Sequence, residues 1–206
     1  MYFMNNQLLF PISDGWVARE EKENALQQRA RVIWLTGPSG SGKSTLAAFL
    51  ERKLFAQGFL TQVLDGDNMR VELSPNLGFS TSERVENVRR AAVVAKMFKE
   101  CGVITICSFI SPKRIMRATA REIIGADDFL EVHINTPIDT CIERDVKGLY
   151  ERALSENGTD FTGLRSTYEV SENPFVLVDT EHTSIEESGN LLYSKVLPFL
   201  INPINR

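Results

Sequence analysis

The chain has 206 residues, 43% of them hydrophobic and 24% charged, with a formal net charge of -4. That length fits one domain with a sizeable core, and the acidic balance offers no broad basic face for a nucleic-acid polymer. Three cysteines (Cys101, Cys107, Cys141) without CxxC spacing and only two histidines argue against a disulfide framework or a structural zinc site, and fit reduced, mostly buried thiols in a cytoplasmic protein.

The first stretch, "MYFMNNQLLFPISDG", has no basic segment ahead of its apolar residues. It reads as an N-terminal extension over 1–16 rather than a signal peptide. No run is long enough to span a membrane. Residues 17–30 are charged with few apolar positions and predict a surface helix leading into one domain over 17–206. The apolar run "RVIWLTG" predicts the first strand. "KSTLAAFLERKLFAQG" predicts a helix, with Leu46, Leu50 and Leu54 on one face and Gly58 as its stop.

The alternation continues through the chain. "FLTQVLDGD" predicts a second strand ending in acids. "STSERVENVRRAAVVAKMFKEC" opens on a capping box, Ser80 to Glu83, and repeats Val88, Ala92, Ala95 and Phe98 on one face. "GVITICSFI" predicts a buried strand, with Ser111 as cap and Pro112 as first residue of the next helix. "FLEVHINT" precedes Thr136-Pro137 in the same arrangement. "FVLVDT" predicts a fifth strand, and residues 184–202 a final helix. Between them, about 146–173 is polar, glycine-containing and short of strand signals, which suits a lid. Five apolar strands alternating with helices predict an α/β fold: a five-stranded parallel sheet with helices on both faces.

After the first strand comes "GPSGSGKST", the full P-loop pattern in the strand-to-helix context that it requires. Its glycines, Gly37, Gly40 and Gly42, allow backbone N–H groups to converge on phosphate oxygens, together with Ser39, Ser41 and Thr45. Lys43 is expected to reach the β- and γ-phosphates of ATP, and Ser44 to ligate Mg²⁺. No Asn/Thr-Lys-x-Asp element points to a GTPase, and no apolar strand ends in Asp-Glu as in motor or AAA-type ATPases. A small-molecule P-loop kinase is favoured.

"LDGDNMR" closes the second strand with two carboxylates one residue apart. Asp-Gly and Asp-Asn are ordinary turn chemistry. In a parallel sheet, however, this strand end lies at the carboxyl edge beside the P-loop. Asp65 and Asp67 then face the γ-phosphate and Mg²⁺, one positioning metal-bound water and the other an attacking hydroxyl. Arg70 is expected to hold an anion on the acceptor.

These stretches, with "LGFSTSERVENVRR", "SFISPKR", "RDVKGLY", "FTGL" and "YEVSENP", resemble the adenylylsulfate (APS) kinase family over roughly residues 17–180. The resemblance implies transfer of the γ-phosphate of ATP to the ribose 3′-hydroxyl of APS, in sulfate assimilation, by a homodimer of P-loop kinases. It implies that Asp67 orients the hydroxyl and that Arg70, Arg84 and Asn87 bind the phosphosulfate. Phe79 and Phe161 would sandwich the adenine, and Ile110 and Lys147 would complete the acceptor pocket. Arg144 is expected to join the ATP-binding set. Ser111 matches the family's phosphoserine position and is a catalytic candidate on that ground. Read from its residues alone, it is a helix N-cap.

Arg84 and Asn87 lie three apart on the capped helix, near its positive end, so both can face one anion. The sequence departs from the family's usual pattern at Pro38, Val71, Glu72, Lys113, Val146 and Arg165. None of these handles phosphate, but Glu72 and Arg165 bear on the acceptor. Two other readings stay open: the same chemistry on a cytidine-linked acid such as a phosphoramidate, or a non-catalytic nucleotide-binding subunit.

Overall fold

The computed structural model describes residues 15–145, 148, 150–151 and 168–202. Five strands form one sheet: β1 (Val32–Thr36), β2 (Thr61–Asp65), β3 (Ile104–Ser108), β4 (Phe129–Asn135) and β5 (Val176–Asp179), in the order β2-β3-β1-β4-β5. Every pairing is parallel. The central strand β1 is buried at all five positions, which is why its sequence is a continuous apolar run rather than an alternating one.

Helices cover both faces, as the sequence predicts. On one face, α2 (Lys43–Ala56) sets Leu46, Leu50 and Leu54 against Ile33, Leu35 and Val132. The C-terminal helix α7 (Ile185–Leu200) joins it through Leu192, Val196 and Leu200. On the other face, α4 (Thr81–Glu100) and α5 (Arg114–Ile124) bury Val88, Ala92, Ala95, Met116 and Ile124 around Trp34, whose ring stacks on Phe109 at 5.0 Å. Three further helices among the described residues are short: α1 (Arg19–Ala25), α3 (Gly66–Glu72) and α6 (Ile138–Arg144).

Three local expectations need correction. The helix expected over 17–30 occupies only Arg19–Ala25; its Glu23 is buried and accepts the Ala30 N–H at 2.8 Å. Ser111 does not cap α5, which begins at Arg114 after Lys113. The Ser111 hydroxyl is drawn inward to Thr36, and Glu169, distant in sequence, accepts the Arg114 N–H instead at 2.8 Å. Pro137 is the N-cap of α6 rather than its first residue, because the Thr136 hydroxyl is committed to the Ser41 carbonyl and to Thr180. The cysteines are free thiols and mostly buried, as expected: Cys107 and Cys141 are buried and Cys101 is exposed. The capping box at Ser80 and Glu83 is present as expected.

Candidate active site

The carboxyl ends of β1, β2 and β3 meet where the strand order reverses around β1, the place where open α/β sheets bind ligands. The loop from Gly37 to Gly42 leaves β1 here and turns into α2. Gly40 has φ +76°, and a Cβ there would lie 2.9 Å from the Cys141 carbonyl. Gly42, at φ +97°, is the N-cap of α2, and no side chain caps that helix. Its first-turn N–H groups and positive end are therefore the loop's anion-binding feature.

Lys43 is 8% exposed and folds over the loop, with Nζ 2.6 Å from the Pro38 carbonyl and 3.4 Å from Ser41 Oγ. Three hydroxyls from elsewhere hold the loop by its carbonyls. Tyr150 donates to Ser39 at 2.9 Å; Thr180 donates to Ser41 at 3.0 Å, and Thr136, 3.3 Å from the same carbonyl, lies 2.6 Å from the Thr180 hydroxyl. Arg144 reaches the same corner by donating to the Thr180 carbonyl at 2.6 Å.

Asp65 joins the cradle to the neighbouring helix. One of its oxygens accepts from Ser44 Oγ at 2.8 Å, and the other caps α3 by accepting the Asp67 N–H at 3.0 Å. Ser108, its register partner on β3, lies 3.2 Å from Ser44 Oγ. The "LDGDNMR" stretch is thus a strand end and a helix start, not a free turn. It places exposed Asp67 two residues beyond the acid that holds Ser44.

Arg70 lies in the last turn of the same short helix. It donates to the Gly78 carbonyl at 2.8 Å, and its guanidinium carbon lies 4.4 Å from the centre of the Phe79 ring. Arg84, from α4, donates to the Phe79 carbonyl at 2.7 Å and lies 5.6 Å from that ring. Both arginines therefore hold the loop carrying Phe79, which is 59% exposed. Five N–H donors on a guanidinium leave Arg70 capacity for an anion besides Gly78. Glu83 fixes the other side of the loop, accepting from Gly78 N–H and Ser80. These bonds hold its carboxyl below the usual range.

Asn87 is 5% exposed, and its side-chain oxygen has no partner among the described residues. A buried amide oxygen left without a donor is costly and uncommon, and a ligand donor is one way to satisfy it. Ile110 is half-buried, and its carbonyl accepts the Thr36 hydroxyl at 2.8 Å. Ser111 is 3% exposed, with its hydroxyl between Trp34 and Thr36. Lys147 and Phe161 lie outside the described residues, as does most of the expected lid. Its last part, 168–173, is bonded to the body of the protein: Glu169 N–H to the Pro112 carbonyl, and Arg117 to the Glu169 carbonyl.

The structure brings Gly37–Thr45, Asp65, Asp67, Arg70, Phe79 and Arg84 to one edge of the sheet. Nothing in the sequence marks Tyr150, Thr136 or Thr180 as supports of the loop. Tyr150 closes the "KGLY" stretch and was the one most open to detection, a lone aromatic in polar surroundings.

A family model described as adenylylsulphate kinase matches residues 29–179. The adenylyl-sulfate kinase of Bacteroides thetaiotaomicron is 50% identical over 190 residues, covering 92% of this chain and 94% of its own. The Mycobacterium tuberculosis APS kinase solved with AMPPNP and APS superposes with a TM-score of 0.78 at 41% identity, over 82% of this chain and 98% of that one. A hexameric APS kinase from Thiobacillus denitrificans superposes with a TM-score of 0.64 at 32% identity, over 84% of this chain and 30% of that one.

Proposed function

The chain belongs to the adenylylsulphate kinase family, and from that premise we propose that it transfers the γ-phosphate of ATP to the 3′-hydroxyl of adenylyl sulfate. The observation that carries the reading is the Ser44–Asp65 hydrogen bond at 2.8 Å. It ties the phosphate cradle to the first turn of α3, so the donor phosphates and Asp67 share one crevice. The orphaned oxygen of Asn87 supports an acceptor site beside it.

Phosphoryl transfer has a loose transition state, so the protein acts by positioning and by neutralising charge. Lys43 and the N–H groups at the start of α2 stabilise the phosphate oxygens as charge moves onto them. Asp67 aims the acceptor hydroxyl. Arg70, Arg84 and Asn87 hold the phosphosulfate, and Phe79 stacks on the base with Phe161. Arg144 lies on the ATP side. Ser44 and Asp65 present two hard oxygen donors at the mouth of the loop, a set that fits Mg²⁺ completed by water and phosphate oxygens. When bound, that ion neutralises the β- and γ-phosphates. Transfer is direct, since the Ser111 hydroxyl is spent on Thr36 and on the Trp34 N–H.

The domain runs over 17–206, with a lid over about 146–173 that includes Lys147. It works as a homodimer in the cytoplasm on small-molecule substrates. No described helix is long and apolar enough to cross a membrane. Sedimentation of the purified chain tests the assembly: a species near twice 23.2 kDa is expected, and a monomer at assay concentration would refute it. For the activity, ADP release is compared with APS and with cytidine-linked acids as acceptors. APS-dependent turnover by the chain alone is expected. Preference for a cytidine-linked acid would move the acceptor, and no turnover with any acceptor would make the chain a nucleotide-binding subunit.

A further inference from the structure

A line of polar groups crosses the carboxyl end of the sheet from β4 to the loop after β3. His133 Nδ1 lies 3.1 Å from the Tyr168 hydroxyl, which lies 2.9 Å from Thr36 Oγ1. Thr36 Oγ1 is 2.8 Å from the Ile110 carbonyl and 3.0 Å from Ser111 Oγ, which also accepts the Trp34 N–H at 3.1 Å. Thr36, Ser111 and His133 are all buried.

The direction of every bond follows from one end. A carbonyl can only accept, so Thr36 gives its single proton to Ile110. Thr36 then accepts from both Tyr168 and Ser111. Having given its proton to Thr36, Tyr168 accepts from His133, which must carry its hydrogen on Nδ1. The protonation states agree with this order. Burial, aided by the Arg117 guanidinium, brings the His133 imidazole down to about 4, so it is neutral. Burial likewise pushes the Tyr168 hydroxyl up to about 12.

The far end of the line is a backbone that needs holding. Ser111 has φ +35°, in the left-handed region that favours glycine. Arg117, 3% exposed, grips it from the other side by donating to the Ser111 carbonyl at 2.8 Å, while its guanidinium carbon lies 5.6 Å from the centre of the Tyr168 ring. We propose that Tyr168 is a positioning residue for the acceptor: through Thr36, its hydroxyl fixes the Ile110–Ser111 turn that walls the acceptor pocket. The proposal rests on the kinase reading above. Tyr168 touches none of the reacting atoms.

Tyr168→Phe in the full chain removes the hydroxyl and keeps the ring against His133, 5.5 Å away. Losing one buried hydrogen bond should raise KM for APS about three- to tenfold, while KM for ATP stays within about twofold. In a His182→Gln background His133 is the sole histidine, and its ¹⁵N spectrum should show the Nδ1–H tautomer, lost in Tyr168→Phe. A parent without APS turnover would overturn the kinase reading and this proposal together. APS turnover with an unchanged KM in Tyr168→Phe, or an Nε2–H tautomer in the parent, would overturn the proposal alone. Equal rises in both KM values with a lower Tm would mark a merely structural tyrosine, and would overturn it too.

Discussion

With Nζ 2.6 Å from the Pro38 carbonyl, Lys43 is already held against the loop that it serves. Its charge matters most as the β–γ bond breaks, so Lys43→Ala should lower kcat by about 10²-fold or more; steady-state rates with ATP and APS read this, and a near-parent kcat would remove Lys43 from the site. Asp67 and Arg70 separate aiming from anchoring. Asp67→Asn keeps the size of the side chain but loses the charge that orients the hydroxyl, so its effect should fall on kcat with KM for APS little changed. Arg70→Ala should instead raise KM for APS, by about 1.5–3 kcal/mol for a charge-assisted contact. Parent-like APS affinity in Arg70→Ala would displace the acceptor pocket from these residues. The P-loop set and Asp65 were legible in the sequence because their spacing is local. Thr180, which grips the Ser41 carbonyl from 139 residues away, was not. Nor was the Tyr168–His133 pair, whose meaning appears only when β4 is laid beside β1.

At the scale of elements, the edge of the sheet opposite the P-loop is pinned by one acid. Asp128, just before β4, accepts from Arg19 on α1 at 2.6 Å, from Arg31 before β1 at 2.8 Å, and from Lys99 on α4 at 2.9 Å. Asp128→Ala takes the shared acid from three cations, leaving Arg19 with Glu23 and Lys99 with Glu100, and should cost about 3 kcal/mol in urea unfolding at neutral pH; a loss under about 1 kcal/mol would show that the remaining partners and water suffice. The pH dependence has a definite sign. Burial alone would raise the Asp128 carboxyl, but bonds to Arg19 and Lys99 bring it down to about 2. A depressed acid stabilises the fold above its ordinary pKa, so this contribution should fade as the pH falls from about 4 to about 2. It should be on the order of 1–2 kcal/mol after allowance for partial exposure. Asp128→Asn should flatten that part of the stability curve, and an unaltered slope would count against the ion cluster. Helix packing gives a second test. A Cβ on Gly189 of α7 would stand 2.3 Å from the Phe49 ring of α2, so Gly189→Ala should destabilise by about 1–3 kcal/mol. The strands and long helices were readable because burial on both faces dictates their composition. The starts of α5 and α6 were misread because Ser111 and Thr136, good caps by local rule, are recruited by Thr36 and by the P-loop. Ser80 has no such competitor, and its capping box with Glu83 formed as expected.

For the whole molecule, the sheet order sets the outcome. Placing β1 between β3 and β4 opens the crevice at one edge and sends the P-loop, α3 and the Ile110–Ser111 turn into it from three different strands. No single segment carries the whole site, and the acidic net charge of -4 is offset locally by Lys43, Arg70 and Arg84. The α/β architecture was legible before the coordinates; how separate segments share one pocket was not, because that depends on tertiary placement. The central claim is that this pocket delivers phosphate to one hydroxyl of one acceptor, and the product itself tests it most directly. With purified chain, ATP, Mg²⁺ and APS, ³¹P–¹H correlation spectra of the product should show a new phosphomonoester coupled to the ribose H3′. Phosphate on any other position, or orthophosphate alone, would contradict the account.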